Sequence, residues 1–465
     1  MKVYNSLTRQ KEELETLEPG VVKIYACGPT VYNFIHVGNA RMLCAFDVLR
    51  RYLEYRGLRV DFVQNFTDID DKILQRAKEE NTDYRTVAET YIAEYWKDAK
   101  GLNIREATVH PKATENMEGI LRIISGLVEK GYAYEAQGDV YYSPKQFPEY
   151  GKLSHQPLAD LEAGARIMVG EVKREPMDFA LWKAAKPGEP AWPSPWGPGR
   201  PGWHIECSAM AMRYLGETID IHCGGQDLIF PHHENEIAQS EAFTGKPLSR
   251  CWMHNGYINV NNVKMSKSLG NFFSVRDVAE QYGYEPLRFL LVSAHYRSPI
   301  NYSVEILEQC VASLARLRNC RENLSFAMKN ASIEAGAEEE AIRAQLESRR
   351  AQFVEAMEDD LNTADALAAI FELVRDINTL VIGERPSLPL CEFAASLFDE
   401  LCDVLGIVTQ AEKAELDTEV EALIAARTRA RADKNWSEAD RIRDALKEMG
   451  IALEDTPAGV KWRRE

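Results

Sequence analysis

One stretch near the N-terminus constrains the fold more than any other part of the sequence. A short apolar run at residues 21–26 predicts a strand, and the pair Gly28 and Pro29 follows it. Residues 41–55 carry apolar side chains at helical spacing, and residues 59–66 alternate as a strand does. A strand, a helix and a second strand in this order predict a parallel βαβ unit with a ligand crevice at the ends of its strands.

The charge balance limits the kinds of partner that the chain can have. Its 465 residues include 55 Lys and Arg against 72 Asp and Glu, which leaves a formal net charge of −17. A general nucleic-acid coat protein is usually basic, so this composition argues against one, although a local basic face can still bind a specific RNA.

Cysteine usage and hydropathy indicate where the chain works. The 9 cysteines are irregularly spaced and do not resemble the disulfide framework of a small secreted protein. No apolar run approaches the ~20 residues that span a bilayer, and the N-terminus lacks the apolar core of a signal peptide. We therefore expect a soluble, cytoplasmic protein without membrane association.

Further along the chain, changes in composition predict several domains. Residues 132–201 are dense in Pro and Gly and exclude a long helix, so we expect a module inserted into the parallel sheet. From residue 304 Pro is sparse, which is typical of a helical bundle. The apolar positions that predict its first helix are Ile306, Val311, Leu314, Leu317 and Leu324. The predicted boundaries are 1–115 and 202–273 for the halves of a Rossmann-type domain, 116–201 for the inserted module, 274–303 for a linking region, 304–410 for the bundle and 411–465 for a small C-terminal domain.

Two short motifs have chemistry that suits a bound phosphate. His36, Gly38 and Asn39 lie where the first predicted helix begins, and the N–H groups of a helix N-terminus attract anions. Gly38 lets a ligand approach the backbone closely. Lys264 and Lys267 lie in a Ser/Gly loop that can close over a triphosphate and neutralise developing charge. Each motif alone has a simpler explanation, a helix cap for the first and a solvated surface loop for the second.

The two motifs together resemble the paired signature of class I aminoacyl-tRNA synthetases. Asn39 departs from the second His of the general motif and is similar to a variant of bacterial members; it can donate a hydrogen bond but cannot carry charge. Four further segments resemble cysteinyl-tRNA synthetases, and the resemblance extends over essentially the whole chain to residues 461–464. These segments are 27–32, 65–72, 202–208 and 230–236.

The resemblance implies a two-step ligase reaction. L-cysteine would react with ATP, accompanied by Mg²⁺, to form cysteinyl-adenylate and pyrophosphate. The cysteinyl group would then pass to the 3′-terminal adenosine of tRNA(Cys), and the enzyme would act as a monomer. The positions that match the ATP-binding and catalytic residues of the family are His36, Gly38, Asn39, Asp227, Lys264 and Lys267.

A group of potential metal ligands is scattered through the sequence. His232 and Glu236 are four residues apart, which places them on one face of a helix. By spacing alone His222, Cys223 and His233 compete with them, and any single cysteine is usually buried and inert. The resemblance implies one Zn²⁺ per chain and a particular ligand set. That set is Cys27, Cys207, His232 and Glu236.

Such a zinc site would explain how the enzyme distinguishes cysteine from serine. A thiol becomes a good zinc ligand on deprotonation, whereas a hydroxyl resists deprotonation and is a poorer ligand. A pocket that sensed size alone would discriminate by only ~1–3 kcal/mol. We therefore expect serine to be rejected without an editing site.

The resemblance also implies a substrate pocket and an anticodon-binding module, each with a simpler alternative. Core packing would equally explain Trp203, a turn would explain Thr67 or Asp227, and a small core would explain Trp436. The pocket positions that match the family are Gly28, Thr67 and Trp203. The matching positions for anticodon recognition are Arg431, Trp436 and Asp440, and a Trp flanked by Arg and Asp can stack on an unpaired base.

Three rival functions share part of this pattern. A cysteine-aminosugar ligase would keep the zinc and ATP motifs but needs no anticodon module. A non-catalytic RNA-binding regulator would have lost a residue such as His36 or Lys267, and none is lost. A persulfide-forming side activity that uses pyridoxal phosphate is disfavoured, because Gln75 accompanies Lys72 where a second Lys is expected.

Overall fold

The structure is a computed structural model that describes most of the chain. The described ranges are 1–156, 172–261, 263–265, 273–329, 331–334, 338–382, 387–408, 414–456 and 459–464. The chain divides into two compact units. Unit 1 is Met1–Val304 with Met357–Thr363, and unit 2 is Glu305–Ala356 with Ala364–Glu465.

In the part of the chain that the structure describes, strands form five small sheets. They are β1 Lys2–Asn5, β2 Gln10–Glu13, β3 Val21–Ala26, β4 Arg59–Gln64, β5 Ala133–Ala136, β6 Asp139–Tyr142, β7 Phe179–Ala184, β8 Gly199–Pro201, β9 Ile219–Gly225, β10 Ser249–Asn255, β11 Ile258–Val260, β12 Val263–Lys264, β13 Ile300–Tyr302, β14 Ile451–Thr456 and β15 Gly459–Arg464.

The α-helices cover both units. They are α1 Val37–Tyr55, α2 Asp71–Glu79, α3 Tyr84–Gly101, α4 Met117–Glu129, α5 Trp203–Leu215, α6 Glu234–Thr244, α7 Val275–Tyr282, α8 Tyr284–Val292, α9 Val304–Lys329, α10 Glu339–Glu358, α11 Thr363–Asp376, α12 Leu388–Leu405, α13 Ala414–Ala432 and α14 Trp436–Glu448. A π-helical turn, Ile229–His233, leads into α6.

The parallel sheet at the centre of unit 1 confirms the predicted α/β fold. Its strand order is β10-β9-β3-β4, and every neighbouring pair is parallel. Five of the six β3 residues are buried, as expected for a strand covered on both faces. β3, β4 and β9 all end at the same edge of this sheet. The residues that follow these three strands are therefore brought together there.

A separate antiparallel sheet interrupts the α/β pattern. Its order is β5-β6-β7-β8, and it spans the described part of the Pro- and Gly-rich stretch that excludes a long helix. Trp182 and Tyr142 are buried in this sheet and belong to the same apolar core as Ile205 of α5. The inserted strands therefore pack on the helix that follows them.

In the residues of unit 2 that the structure describes, helices predominate, and the strands β14 and β15 form an antiparallel hairpin. The side chains of α9 that are buried include Leu307, Leu314, Leu317 and Leu324. The predicted helix is confirmed, but Val311 is 41% exposed and is not part of its buried stripe. The buried stripe includes Leu307 and Cys310, and Cys310 directly precedes Val311 in the helix. A smaller core near the C-terminus comprises Val420, Ile442, Leu446 and Ile451.

Candidate active site and metal centre

A cavity of 590 Å³ opens at the carboxyl ends of the central strands. It brings together residues that the sequence predicts for cysteine binding, ATP binding and catalysis. Those predicted residues that line it are Cys27, Gly28, His36, Gly38, Asn39, Trp203 and Asp227. Met265 also lines the cavity, directly after Lys264. The side chain of Lys264, and Lys267 entirely, lie outside the described residues.

His36 and Asn39 form a reciprocal cap at the start of α1. The His36 Nδ1 atom accepts a hydrogen bond from the Asn39 backbone N–H at 3.1 Å, and the Asn39 Oδ1 atom accepts one from the His36 backbone N–H at 3.2 Å. A side chain on Gly38 would place its Cβ 2.9 Å from the His36 ring. The capping explanation is therefore correct, and it coexists with a place for both side chains on the cavity wall.

Gly28 lies directly against the backbone of Asn65, the residue that follows β4. A Cβ atom there would lie 1.5 Å from the carbonyl oxygen of Asn65, so no larger residue fits. Trp203 lies at the other side of the cavity, where 38% of it is exposed and its ring stacks on His232 at a centroid distance of 4.3 Å. Trp203 is thus not a core residue. Thr67 is 1% exposed and donates a hydrogen bond to Glu206.

Four buried side chains converge beside this cavity from four different places in the fold. Cys27 follows β3, and Cys207 lies in α5. His232 lies near the end of the π-helical turn, and Glu236 lies in the first turn of α6. The two Sγ atoms are 3.8 Å apart, the Cys27 Sγ is 3.2 Å from Glu236 Oε1, and His232 Nε2 is 3.0 Å from the same oxygen. One donor atom from each residue lies within 4.8 Å of all the others.

The donor set and spacing fit tetrahedral zinc. With Zn–S bonds of about 2.3 Å, two thiolates at tetrahedral corners lie about 3.8 Å apart. Two sulfur ligands, one imidazole and one carboxylate also suit a borderline-soft ion. The buried cluster of Cys27, Cys207, His232 and Glu236 is therefore compatible with Zn²⁺.

A second combination of donors overlaps with this one. Cys27, His222, His233 and Glu236 also lie within 4.8 Å of one another, so two of the competing residues are brought into the centre. Cys223 belongs to neither set among the described residues, and its thiol points to the Tyr25 carbonyl at 3.5 Å. The first combination is the better zinc site because it contains two thiols.

In the set with two thiols His222 is not a ligand, but it contacts the ligand Glu236. Its Nε2 atom lies 2.8 Å from Glu236 Oε2, while Glu236 Oε1 faces Cys27 and His232. His204 has a comparable place behind His232, with 2.9 Å between their Nδ1 atoms. Partners of this kind orient metal ligands. His222 is one of the competing candidates of the sequence analysis, whereas His204, three residues before Cys207, is not, and no pattern of spacing distinguishes it from other buried histidines.

The protonation of the cluster reflects its burial and its crowding. A hydrogen bond from the Cys27 thiol lowers the pKa of Cys207 to about 6, against the effect of burial. Burial and the contact with Cys207 raise the pKa of Cys27 well above its usual range. Burial acts to lower the pKa of His232, but the carboxylate of Glu236 outweighs it and raises that pKa to about 10. The cluster thus pairs one thiolate with an imidazolium.

Asp227 and the predicted anticodon residues occupy different units. Asp227 lies in a short turn after β9, where a Cβ on Gly225 would meet its carboxylate at 2.4 Å. In unit 2, Trp436 is the first residue of α14 and 59% of it is exposed, so it does not cap the small core. Asp440 pairs with Arg443 at 3.0 Å, and Arg431 is exposed near the end of α13.

Three family profiles match consecutive parts of the chain. A profile described as the class I (C) tRNA synthetase catalytic domain matches residues 13–312. A DALR domain profile matches residues 352–410, and a cysteinyl-tRNA ligase anticodon-binding domain profile matches residues 413–463. Within the described residues, no helix has both the length and the apolar character needed to cross a membrane.

Individual relatives are consistent with these profiles. A cysteine–tRNA ligase of Caldicellulosiruptor saccharolyticus is 55% identical over 466 residues and covers 100% of both chains. Among solved structures, methionyl-tRNA synthetase of Mycobacterium tuberculosis matches with a TM-score of 0.60 at 16% identity, over 83% of this chain and 89% of that one. A putative arginyl-tRNA synthetase of Campylobacter jejuni matches with a TM-score of 0.57 at 12% identity, over 83% and 93%. These two structures show a shared fold alone. The catalytic profile and the full-length relative together show that the chain belongs to the cysteinyl-tRNA synthetases of class I.

Proposed function

We propose that the chain activates L-cysteine with ATP and transfers the cysteinyl group to the 3′ end of tRNA(Cys). The observation that carries this proposal is the junction of two features in one cavity. The group of potential metal ligands, which contains two thiols, adjoins the cavity through Cys27. The N-terminus of α1 borders the same cavity through His36 and Gly38. One feature suits a thiol substrate and the other suits a phosphate.

On the nucleotide side, α1 and the motif lysines would bind the phosphates. The Nδ1 atom of His36 accepts a hydrogen bond, so the neutral ring carries its proton on Nε2 and can donate it to a phosphate oxygen. Gly38 lets the His36 ring keep this position, because a Cβ there would lie 2.9 Å from the ring. Lys264 and Lys267, with Mg²⁺ that accompanies ATP, would neutralise charge that develops on the triphosphate, and Asp227 would face the ribose.

On the amino-acid side, Cys27, Cys207, His232 and Glu236 would hold one Zn²⁺. The ion supplies a Lewis acid that favours a thiolate over a hydroxyl. Trp203 forms part of the cavity wall and stacks on His232. Gly28 lines the same cavity, and the Asn65 backbone lies directly against it. These residues would orient the cysteine side chain and leave its carboxylate directed toward the nucleotide.

The reaction needs no nucleophile from the protein. The cysteine carboxylate attacks the α-phosphorus of ATP and pyrophosphate leaves; the terminal ribose hydroxyl of the tRNA then attacks the adenylate carbonyl and AMP leaves. Catalysis in both steps consists of positioning the reactants and stabilising charge. We extend the proposal to a monomer that works in the cytoplasm, and sedimentation at low concentration tests the monomer.

ATP–pyrophosphate exchange is the experiment that separates this function from its rivals. We expect exchange that depends on cysteine, followed by charging of tRNA(Cys) transcripts. Exchange without charging of any tRNA would favour an aminosugar ligase. Tight tRNA binding without exchange would favour a non-catalytic regulator, and either result would overturn the proposal.

A further inference from the structure

A buried relay of polar side chains lies directly behind the metal centre. It consists of Asn65 and Thr67, which follow β4, and Glu206 in α5. Each of the three is at most 1% exposed, so water cannot replace a hydrogen bond that any of them loses. None of the three is among the donors of either metal set in the described residues.

The relay joins the segments that carry both cysteine ligands. The Gly28 backbone N–H, next to Cys27, donates to Asn65 Oδ1 at 2.9 Å. The Asn65 Nδ2 atom donates to Thr67 Oγ1 at 3.3 Å, and Thr67 Oγ1 donates to Glu206 Oε2 at 3.0 Å. The Cys207 Sγ atom also lies 3.8 Å from Asn65 Oδ1. A single amide therefore holds the neighbour of Cys27 by a hydrogen bond and reaches the helix of Cys207 through Thr67 and Glu206.

Backbone hydrogen bonds beside this amide pair the two segments that follow β3 and β4. The Thr67 N–H donates to the Pro29 carbonyl at 3.3 Å, and the Val31 N–H donates to the Thr67 carbonyl at 3.2 Å. Gly28 lies so close to the Asn65 backbone that no side chain separates them. The lateral position of the loop after β3, and with it Cys27, is thus set against Asn65.

We propose that Asn65 is a positioning residue for the metal centre. Its amide fixes the loop that carries Cys27 and, through Thr67 and Glu206, the helix α5 that carries Cys207 and the cavity residue Trp203. An amide meets both demands because it has an acceptor for the Gly28 N–H and a donor for Thr67. A carboxylate would lack the donor and would place a like charge beside a thiolate. The part of the inference that concerns cysteine binding rests on the proposed function, and the part that concerns metal binding does not.

The test compares Asn65→Ala with Asn116→Ala. Asn116 is a suitable control because it is also buried and uses both ends of its amide, donating to the Lys112 carbonyl at 2.8 Å and accepting from Arg213 at 2.8 Å. It does not line the cavity. Both variants lose a buried amide, so both are expected to unfold at a lower temperature than the wild type. Only Asn65→Ala is expected to change the metal centre.

Zinc affinity is measured by competition with a chelator at a temperature where each variant is folded, and Co²⁺ replaces zinc for absorption spectra. Loss of a partner that orients ligands costs about 10- to 100-fold in metal affinity, which we expect for Asn65→Ala together with an altered Co²⁺ spectrum. The KM for cysteine should rise in exchange assays while the KM for ATP stays near the wild-type value.

A second pair of variants tests the relay beyond Asn65. Thr67→Val removes the hydroxyl and should raise the KM for cysteine, whereas Thr67→Ser keeps it and should restore the wild-type value. Wild-type zinc affinity and Co²⁺ spectrum in Asn65→Ala would overturn the proposal, as would an equal loss of affinity in Asn116→Ala. Failure of the wild type to catalyse exchange would instead contradict the proposed function and leave the zinc measurement decisive for Asn65.

Discussion

The side chains of the candidate metal site hold protons that a bound metal ion would have to displace. Burial raises the pKa of Cys27 well above its usual range, and the balance of burial against the Glu236 carboxylate raises that of His232 to about 10. Cys207, with a pKa of about 6, is already a thiolate at neutral pH. Zinc takes thiolates and neutral imidazole, so its binding above pH 6 and below pH 10 releases one proton from Cys27 and one from His232.

We therefore predict a steep pH dependence of zinc affinity. Protons compete with the metal at both groups, so the affinity of the protein falls as the pH falls and rises by about 100-fold per pH unit between roughly pH 7 and 9. Chelator competition at several pH values, with the pH dependence of the chelator itself subtracted, measures this slope. A slope near zero would contradict the protonation pattern described for the cluster.

At the scale of single elements, α1 depends on one buried carboxylate. Asp47 Oδ2 accepts hydrogen bonds from Arg51 at 2.7 Å and from Arg288 of α8 at 2.6 Å, and its Oδ1 accepts the Arg105 backbone N–H at 2.9 Å. Burial acts to raise the pKa of Asp47, but the two guanidinium groups outweigh it and lower that pKa. The cluster fixes the helix whose N-terminus carries His36.

Asp47→Asn should lower the free energy of unfolding of unit 1 by about 3–5 kcal/mol at pH 7, because it leaves buried guanidinium charge uncompensated. Since the pKa is depressed in the folded protein, the stabilisation is present above the unfolded value near 4 and is lost as the pH falls through the folded pKa. Urea unfolding at pH 7 and at lower pH measures the difference.

Asp61→Asn is the matched control for this prediction. Its carboxylate pairs with Arg59 at 3.1 Å on a mostly exposed surface, where an ion pair contributes less than about 1 kcal/mol. A loss of stability in Asp47→Asn that is no larger than in Asp61→Asn would show that the buried cluster does not hold α1 in place.

The helices and strands also show which parts of the structure can be predicted from the sequence. The strands of the central sheet and α1 follow from local patterns, since each segment must bury its own apolar face. Val311 is apolar but exposed, because two neighbouring stripes of α9 are both partly apolar and only packing against other helices decides which one is buried. The relay from Asn65 to Glu206 joins residues that lie 141 positions apart, and no local pattern encodes such a pair. The two overlapping donor sets likewise become distinct only when distances are known.

At the scale of the whole molecule, the catalytic cavity and the predicted anticodon residues lie in different units. Trp436→Ala should therefore leave ATP–pyrophosphate exchange unchanged and weaken tRNA(Cys) binding by about 1–3 kcal/mol, the contribution of one stacked base. Because Trp436 is exposed, its loss should not unfold the domain. Trp436→Phe, which keeps an aromatic face, should retain most of the binding in filter or anisotropy measurements. An equal loss of exchange and charging would contradict the anticodon assignment.

The central claim is that the proposed zinc site selects cysteine without proofreading, and the Cys207→Ser variant tests this claim most directly. Bound zinc and the ratio of kcat/KM for cysteine to that for serine are measured side by side, in ATP–pyrophosphate exchange. The wild-type ratio should reach ~10⁴–10⁵, as for a site built around one chemical group, with no rapid serine-dependent ATP hydrolysis. The variant should bind less zinc, and its ratio should fall toward the ~10–200-fold that a pocket sensing size alone achieves, mostly through loss of the cysteine reaction. A zinc-depleted variant that keeps the wild-type ratio would contradict the account.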